Sequence, residues 1–257
     1  MKKYALAISV LAISAVTATA ADMAPRTYSK APAPIEVYNW TGFYVGANSG
    51  GGWSHNCWTL TGPIDAGCHD GSGGLAGGQA GYNWQMSNFV LGVELSGDWA
   101  NLKGNNIPAL IPQGTDSSRV SSIVMATARA GFAMDRALIY GKGGAAWVRE
   151  NYSISCNGVT ALGFCVPVGF TPAQASETRT GWTVGVGLEY LLTRNLSLGI
   201  EYDYIGLGNH SPVFSAAPGY DIACGAGVSC PITIRQNVSV VTARLNWHFG
   251  GPVVARY

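Results

Sequence analysis

One run of residues limits the fold more than any other. In residues 89–99, Phe89, Leu91, Val93, Leu95 and Trp99 alternate with Val90, Gly92, Glu94, Ser96 and Asp98. Side chains along a strand point to opposite faces in turn, so this is a strand with one oily face and one polar or small face. Residues 196–204, 182–190 and 242–249 repeat the pattern. Leu198 and Ile200 oppose Glu201, Val184 and Leu188 oppose Glu189, and Leu245 and Trp247 oppose Arg244. Weaker versions occupy 41–53, 75–84, 120–134 and 137–148. The last is phased by turning Lys142 inward and Ile139, Gly141, Gly143, Ala145 and Trp147 outward. The reading is all-β: an eight-stranded antiparallel barrel.

An oily face on every strand must meet either lipid or a shared core. Only 11% of the residues are charged, against about 25% in ordinary soluble domains. Past the first 20 residues, no apolar run reaches the roughly 20 that a membrane helix needs. Low charge without long apolar runs is what a membrane-spanning barrel produces, because lipid-facing and interior residues alternate. A soluble binding barrel would invert the pattern. The formal net charge of +1 gives no basis for a nucleic-acid partner.

Lys2 and Lys3, an apolar stretch over 4–16 and Ala18-Thr19-Ala20 make residues 1–20 a secretory signal peptide. Residues 21–39, with Pro25, Pro32 and Pro34, are expected to be an extended leader. The barrel is expected to fill 40–249, and 250–257 to form a tail. Short connections at 85–88, 135–136 and 193–195 alternate with long ones at 55–74, 103–119, 151–178 and 208–236. Outer-membrane barrels have short periplasmic turns and longer external loops, so the four long loops face outside. The cysteines fall as Cys57/Cys68, Cys156/Cys165 and Cys224/Cys230, each pair inside one loop. In an exported chain, local disulfides are the expectation. A metal site using His55 or His69 is the alternative. No cofactor is expected.

Several inward charges share one height. Glu94, Arg129, Lys142, Glu201 and Arg244 each lie five residues from the periplasmic end of their strand, with Glu189 a little closer to its turn. An eight-stranded barrel has an interior just wide enough for side chains to fill, and an unpaired charge there is costly. The expectation is a belt of ion pairs closing the lumen, coupling Glu94 with Arg129, Lys142 with Glu189 and Glu201 with Arg244. Trp53, Trp84, Trp99, Trp182, Trp247 and Phe249 are expected in interfacial aromatic girdles. Catalytic signals are weak. His210 and Ser211 are adjacent, so on an extended backbone they point apart. His248, beside Asn246 and Arg244 on the inward face, reads as lumen filler. Gly71-Ser72-Gly73-Gly74 lacks the strand–helix context of a phosphate loop.

Residues 38–48, Tyr-Asn-Trp-Thr-Gly-Phe-Tyr-Val-Gly-Ala-Asn, resemble the first strand of the opacity-like outer-membrane β-barrel family. The likeness is to the surface antigens and porin-family proteins of rhizobial and Brucella-type bacteria. Gly81-Tyr82-Asn83-Trp84 and the closing Leu245-Asn246-Trp247-His248-Phe249 are similar to that family too. The resemblance implies an integral outer-membrane protein in contact with membrane lipid and lipopolysaccharide, inserted by the barrel assembly machinery. Such barrels finish at a terminal aromatic that assists assembly. Here Phe249 is followed by Gly250-Gly251-Pro252 and a tail ending in Tyr257, which leaves Phe249 and Tyr257 both open as that signal. The function expected is structural and antigenic, not enzymatic, with a narrow porin-like diffusion channel as the alternative.

Overall fold

The computed structural model describes residues 38–60, 64–107, 114–156, 173–211, 215–216 and 232–249. The strands are β1 (Gly42–Leu60), β2 (Ile64–Met86), β3 (Phe89–Asn106), β4 (Gly114–Met134), β5 (Ala137–Cys156), β6 (Ala173–Leu191), β7 (Leu196–His210), the two-residue β8 (Ser215–Ala216) and β9 (Ile232–His248). Consecutive long strands pair antiparallel, β5 pairs with β6, and β9 pairs with both β7 and β1. The ladder therefore runs full circle: a closed eight-stranded antiparallel barrel, with β8 a short addition to β6. The expected signal peptide at 1–20, most of the leader, the tail with Tyr257, and the cysteines Cys165, Cys224 and Cys230 lie outside the described residues. So does the side chain of Cys156.

Polarity is inside out. Leu91, Val93, Leu198, Ile200 and Leu245 point away from the barrel and are 46–56% exposed, while Glu94, Arg129, Glu201 and Arg244 are buried. In β5, Ile139 and Trp147 face out and Leu138, Tyr140 and Lys142 face in. The outward apolar band is bounded by aromatic side chains at both ends. Phe43, Trp84, Phe89, Phe132, Trp247 and Phe249 stand near the short turns, and Trp53, Trp99, Trp147 and Trp182 at the opposite side. In two of the short turns, Ser87 and Asp135 take left-handed backbone angles, φ 57° and 54°.

The strands run farther than their oily stretches, which corrects the loop boundaries. β1 continues to Leu60 and β2 begins at Ile64, so most of the expected loop at 55–74 is paired strand. Lengths of 15 to 23 residues exceed the roughly 9–11 needed to cross a bilayer. Above the membrane the outward face meets water, so the oily half of the period-two signal fades while backbone pairing continues. Cys57 and Cys68 consequently face each other across the β1–β2 ladder, and their disulfide is a cross-strand staple rather than a loop closure. The last two leader residues, Tyr38 and Asn39, run into the first residue of the expected barrel beside the short turns. Trp40 is buried with its ring edge-on to His248, and Tyr38 packs against the same cluster with Arg136 4.8 Å over its ring.

Candidate functional site

The inward charges meet in one network. Glu94 on β3 lies 2.5 Å from Arg244, 3.5 Å from Lys142 and 3.7 Å from Arg129. Glu201 on β7 is held by Lys142 at 2.7 Å and by Arg244. Glu189 on β6 sits 3.5 Å from Arg129 and also contacts His248, Asn246 and Ser197. All are essentially removed from solvent, so each charge needs the others. One expected pair is not made. Lys142 stands opposite Gly185, whereas Glu189 stands opposite Leu138, four residues nearer the turn. Lys142 reaches across the lumen to Glu201, Glu94 and Asp203 instead.

Two tyrosines that the sequence reading did not single out complete the network. Tyr44 and Tyr140 each donate to a carboxylate, Glu94 and Glu201, at 2.6 Å. The Arg129 guanidinium lies between their rings, 4.4 and 5.0 Å from the centroids. Each ring lies across a glycine on the next strand, Tyr44 over Gly81 and Tyr140 over Gly187. A Cβ at either glycine would sit 2.3–2.4 Å from ring or hydroxyl atoms, so no larger residue fits without moving the tyrosine. A sequence signal for these parts exists in internal repetition. Leu91-Gly92-Val93-Glu94 matches Leu198-Gly199-Ile200-Glu201, and Thr127-Ala128-Arg129 matches Thr242-Ala243-Arg244. In the structure Glu94 faces Thr127 and Glu201 faces Thr242, so the two halves of the barrel build the same Tyr–Gly–Glu–Arg arrangement.

The interior is layered, not uniformly polar or small. At the turn end, Trp40, Val90, Ala133, Leu138 and Leu191 pack under the belt. Above it lies an apolar layer of Leu75, Leu102, Val120, Ile123, Met125, Val148, Ile205, Leu207, Val238 and Val240. Between belt and layer is a cavity of about 10 Å³ lined in part by Asn48, Ser96, Asp98 and Asp203, barely enough for one water. A second buried polar cluster lies beyond the outer tryptophans. There Arg179 bonds Gln236 and the Leu207 carbonyl and lies 3.6 Å from Glu150, while His69 bonds Ser118. Burial outweighs Arg179 and pushes the Glu150 carboxyl up to about 7; burial also lowers His69.

His248 is more than filler: its Nε2 contacts Ser197 at 2.9 Å and Glu189 at 3.2 Å. This serine, histidine and carboxylate do not form a relay, because both partners use the same ring nitrogen and Ser197 donates directly to Glu189. His55, Cys57 and Cys68 bring donor atoms within 4.8 Å of one another. The disulfide removes both thiolates, however, and a thiolate is what a metal needs. His210 contacts Glu177 at 2.7 Å, and Ser211 contacts Thr233.

Residues 8–230 match the family model described as outer membrane protein beta-barrel domain. The 31 kDa outer-membrane immunogenic protein of Brucella melitensis is 34% identical over 232 residues, covering 83% of this chain and 90% of that protein. The 22 kDa outer membrane protein of Rhizobium leguminosarum is 29% identical over 175 residues, 67% of each chain. Among solved structures, the outer membrane protein OprG of Pseudomonas aeruginosa superposes with a TM-score of 0.51 at 12% identity. That alignment covers 83% of this chain and 99% of that one.

Proposed function

The chain belongs to the outer membrane protein β-barrel family and resides in the outer membrane, and from there we propose that it is a non-conducting structural barrel that displays its outer strands and loops as a surface antigen. The observation that carries this reading is the layered lumen. A water path would have to cross the charged belt and then the apolar layer from Leu75 to Val240, and side chains fill both. Water-filled barrels typically need about 16 strands. The antigenic part of the reading is supported by the names of the Brucella relatives, which are outer-membrane immunogenic proteins. A non-enzymatic role is supported by the one serine–histidine–carboxylate contact among the described residues, which is sealed from solvent and lacks relay geometry. Planar-bilayer recording of the purified protein tests the proposal. A flat baseline is expected; steady, uniform conductance steps would replace it with the narrow-channel reading.

A further inference from the structure

Above the outer tryptophans, the outward face of three consecutive strands carries Lys103 on β3, Arg119 on β4 and Arg149 on β5, all exposed. Lys103 and Arg119 are direct partners across the ladder. Arg119 faces Asn151, which puts Arg149 at the neighbouring outward position on β5. Like charges directly opposite one another on a sheet destabilise it, so the arrangement calls for an anion. Among the described residues these three cations make no ion pair. The outward carboxylate on β2, Asp70, is held by His55 at 2.6 Å.

Height identifies the anion. Arg149 lies two residues beyond Trp147 and Lys103 four beyond Trp99. With a rise of about 3.4 Å per residue and a strand tilt of about 40°, that is roughly 5 and 10 Å above the aromatic ring. The polar zone of one leaflet is only about 5–8 Å deep, so a single phospholipid headgroup cannot meet both levels. A lipid with anionic groups at successive depths can. We infer that Lys103, Arg119 and Arg149 form a binding site for lipopolysaccharide. Arg149 meets the acidic groups nearest the acyl chains, and Lys103 and Arg119 meet the acidic sugars above them. Arginine forks suit both phosphate and carboxylate. The inference rests on the outer-membrane placement and is independent of whether the barrel conducts.

The test uses the full-length protein in detergent. Deep-rough lipopolysaccharide (lipid A with its acidic octulosonate sugars) and phosphatidylglycerol are titrated separately, and adducts are read by native mass spectrometry. Wild type is expected to bind the lipopolysaccharide at least tenfold more tightly than phosphatidylglycerol. The triple variant Lys103→Ser, Arg119→Ser, Arg149→Ser should lose at least tenfold while keeping wild-type heat-modifiable gel mobility. Arg235→Ser, an exposed cation on β9 beside Cys57, should change binding less than twofold. Equal binding of the two lipids, an unaffected triple variant, or an equal loss in Arg235→Ser would each overturn the assignment. Should the triple variant misfold, Lys103→Ser alone, expected to lose about threefold, takes its place, and no loss there overturns it as well.

Discussion

At the scale of single residues, fit and charge balance decide what can change. Gly187 exists to receive the Tyr140 ring, whereas nothing approaches the Cβ position of Gly97 within 4 Å. Gly187→Ala should therefore cost about 1–3 kcal/mol through displaced packing, while Gly97→Ala should be neutral; the urea midpoint for unfolding from lipid vesicles separates the two. Charge balance gives a second contrast. Glu94, Asp98, Glu189, Glu201 and Asp203 outnumber Arg129, Lys142 and Arg244 in the belt, and one Asp98 oxygen has no hydrogen-bond partner. Arg129→Ala leaves Glu94 and Glu189 short of a counter-charge and should cost about 3–5 kcal/mol. Asp98→Asn removes a surplus carboxylate and should be neutral or stabilising by the same assay. A large loss on Asp98→Asn would mean that the belt needs its full negative charge.

At the scale of elements, the outer halves of the strands behave differently from the membrane halves. They are held by ladder hydrogen bonds, the Cys57–Cys68 staple and the buried cluster around Glu150 rather than by lipid. Glu150 titrates near 4.5 when unfolded and about 7 when folded, so the folded state holds its proton more tightly. A raised carboxyl pKa stabilises fully below the unfolded value and loses that contribution as pH climbs through the folded one. The outer ends of β5 and β6 should thus loosen between about pH 4.5 and 7, seen as a fall in amide protection factors (exchange corrected for its intrinsic rise with pH) at Tyr152 and Arg179. In Glu150→Gln that fall in protection should vanish. The same outer segments account for the misplaced loop boundaries, because period-two contrast reports lipid contact, not backbone pairing. The repeat of Leu-Gly-Val-Glu and Thr-Ala-Arg by Leu-Gly-Ile-Glu and Thr-Ala-Arg was there in the sequence. Its meaning needed the register, which places each glutamate opposite a threonine and beside a tyrosine-bearing glycine.

At the scale of the whole molecule, the proposed non-conducting barrel has two independent layers across its lumen, the charged belt and the apolar layer. The belt can be weakened without opening the apolar layer, and the reverse also holds. Arg129→Ala is expected to lower the temperature of heat modification while bilayer recordings stay flat. Leu102→Ala with Ile123→Ala should thin the layer at two fully buried positions yet remain flat, since the belt persists. Only the combination of all three should produce measurable leak. Leak from Arg129→Ala alone would show that the belt is the sole barrier.

Face assignment came from sequence alone. Alternation is local, so Leu91, Val93 and Ile200 against Glu94, Arg129 and Glu201 determined which side meets lipid and which turns inward, and the β5 phase followed from one lysine, Lys142. Pairing did not come from sequence. Glu94 and Arg244 are 150 residues apart on non-neighbouring strands, and closure of the barrel sets them 2.5 Å from each other. Which acid meets which base, where an apolar layer crosses the lumen, and which cations share a patch on the outer rim all depend on register accumulated around a closed sheet. A two-residue period carries no record of that register.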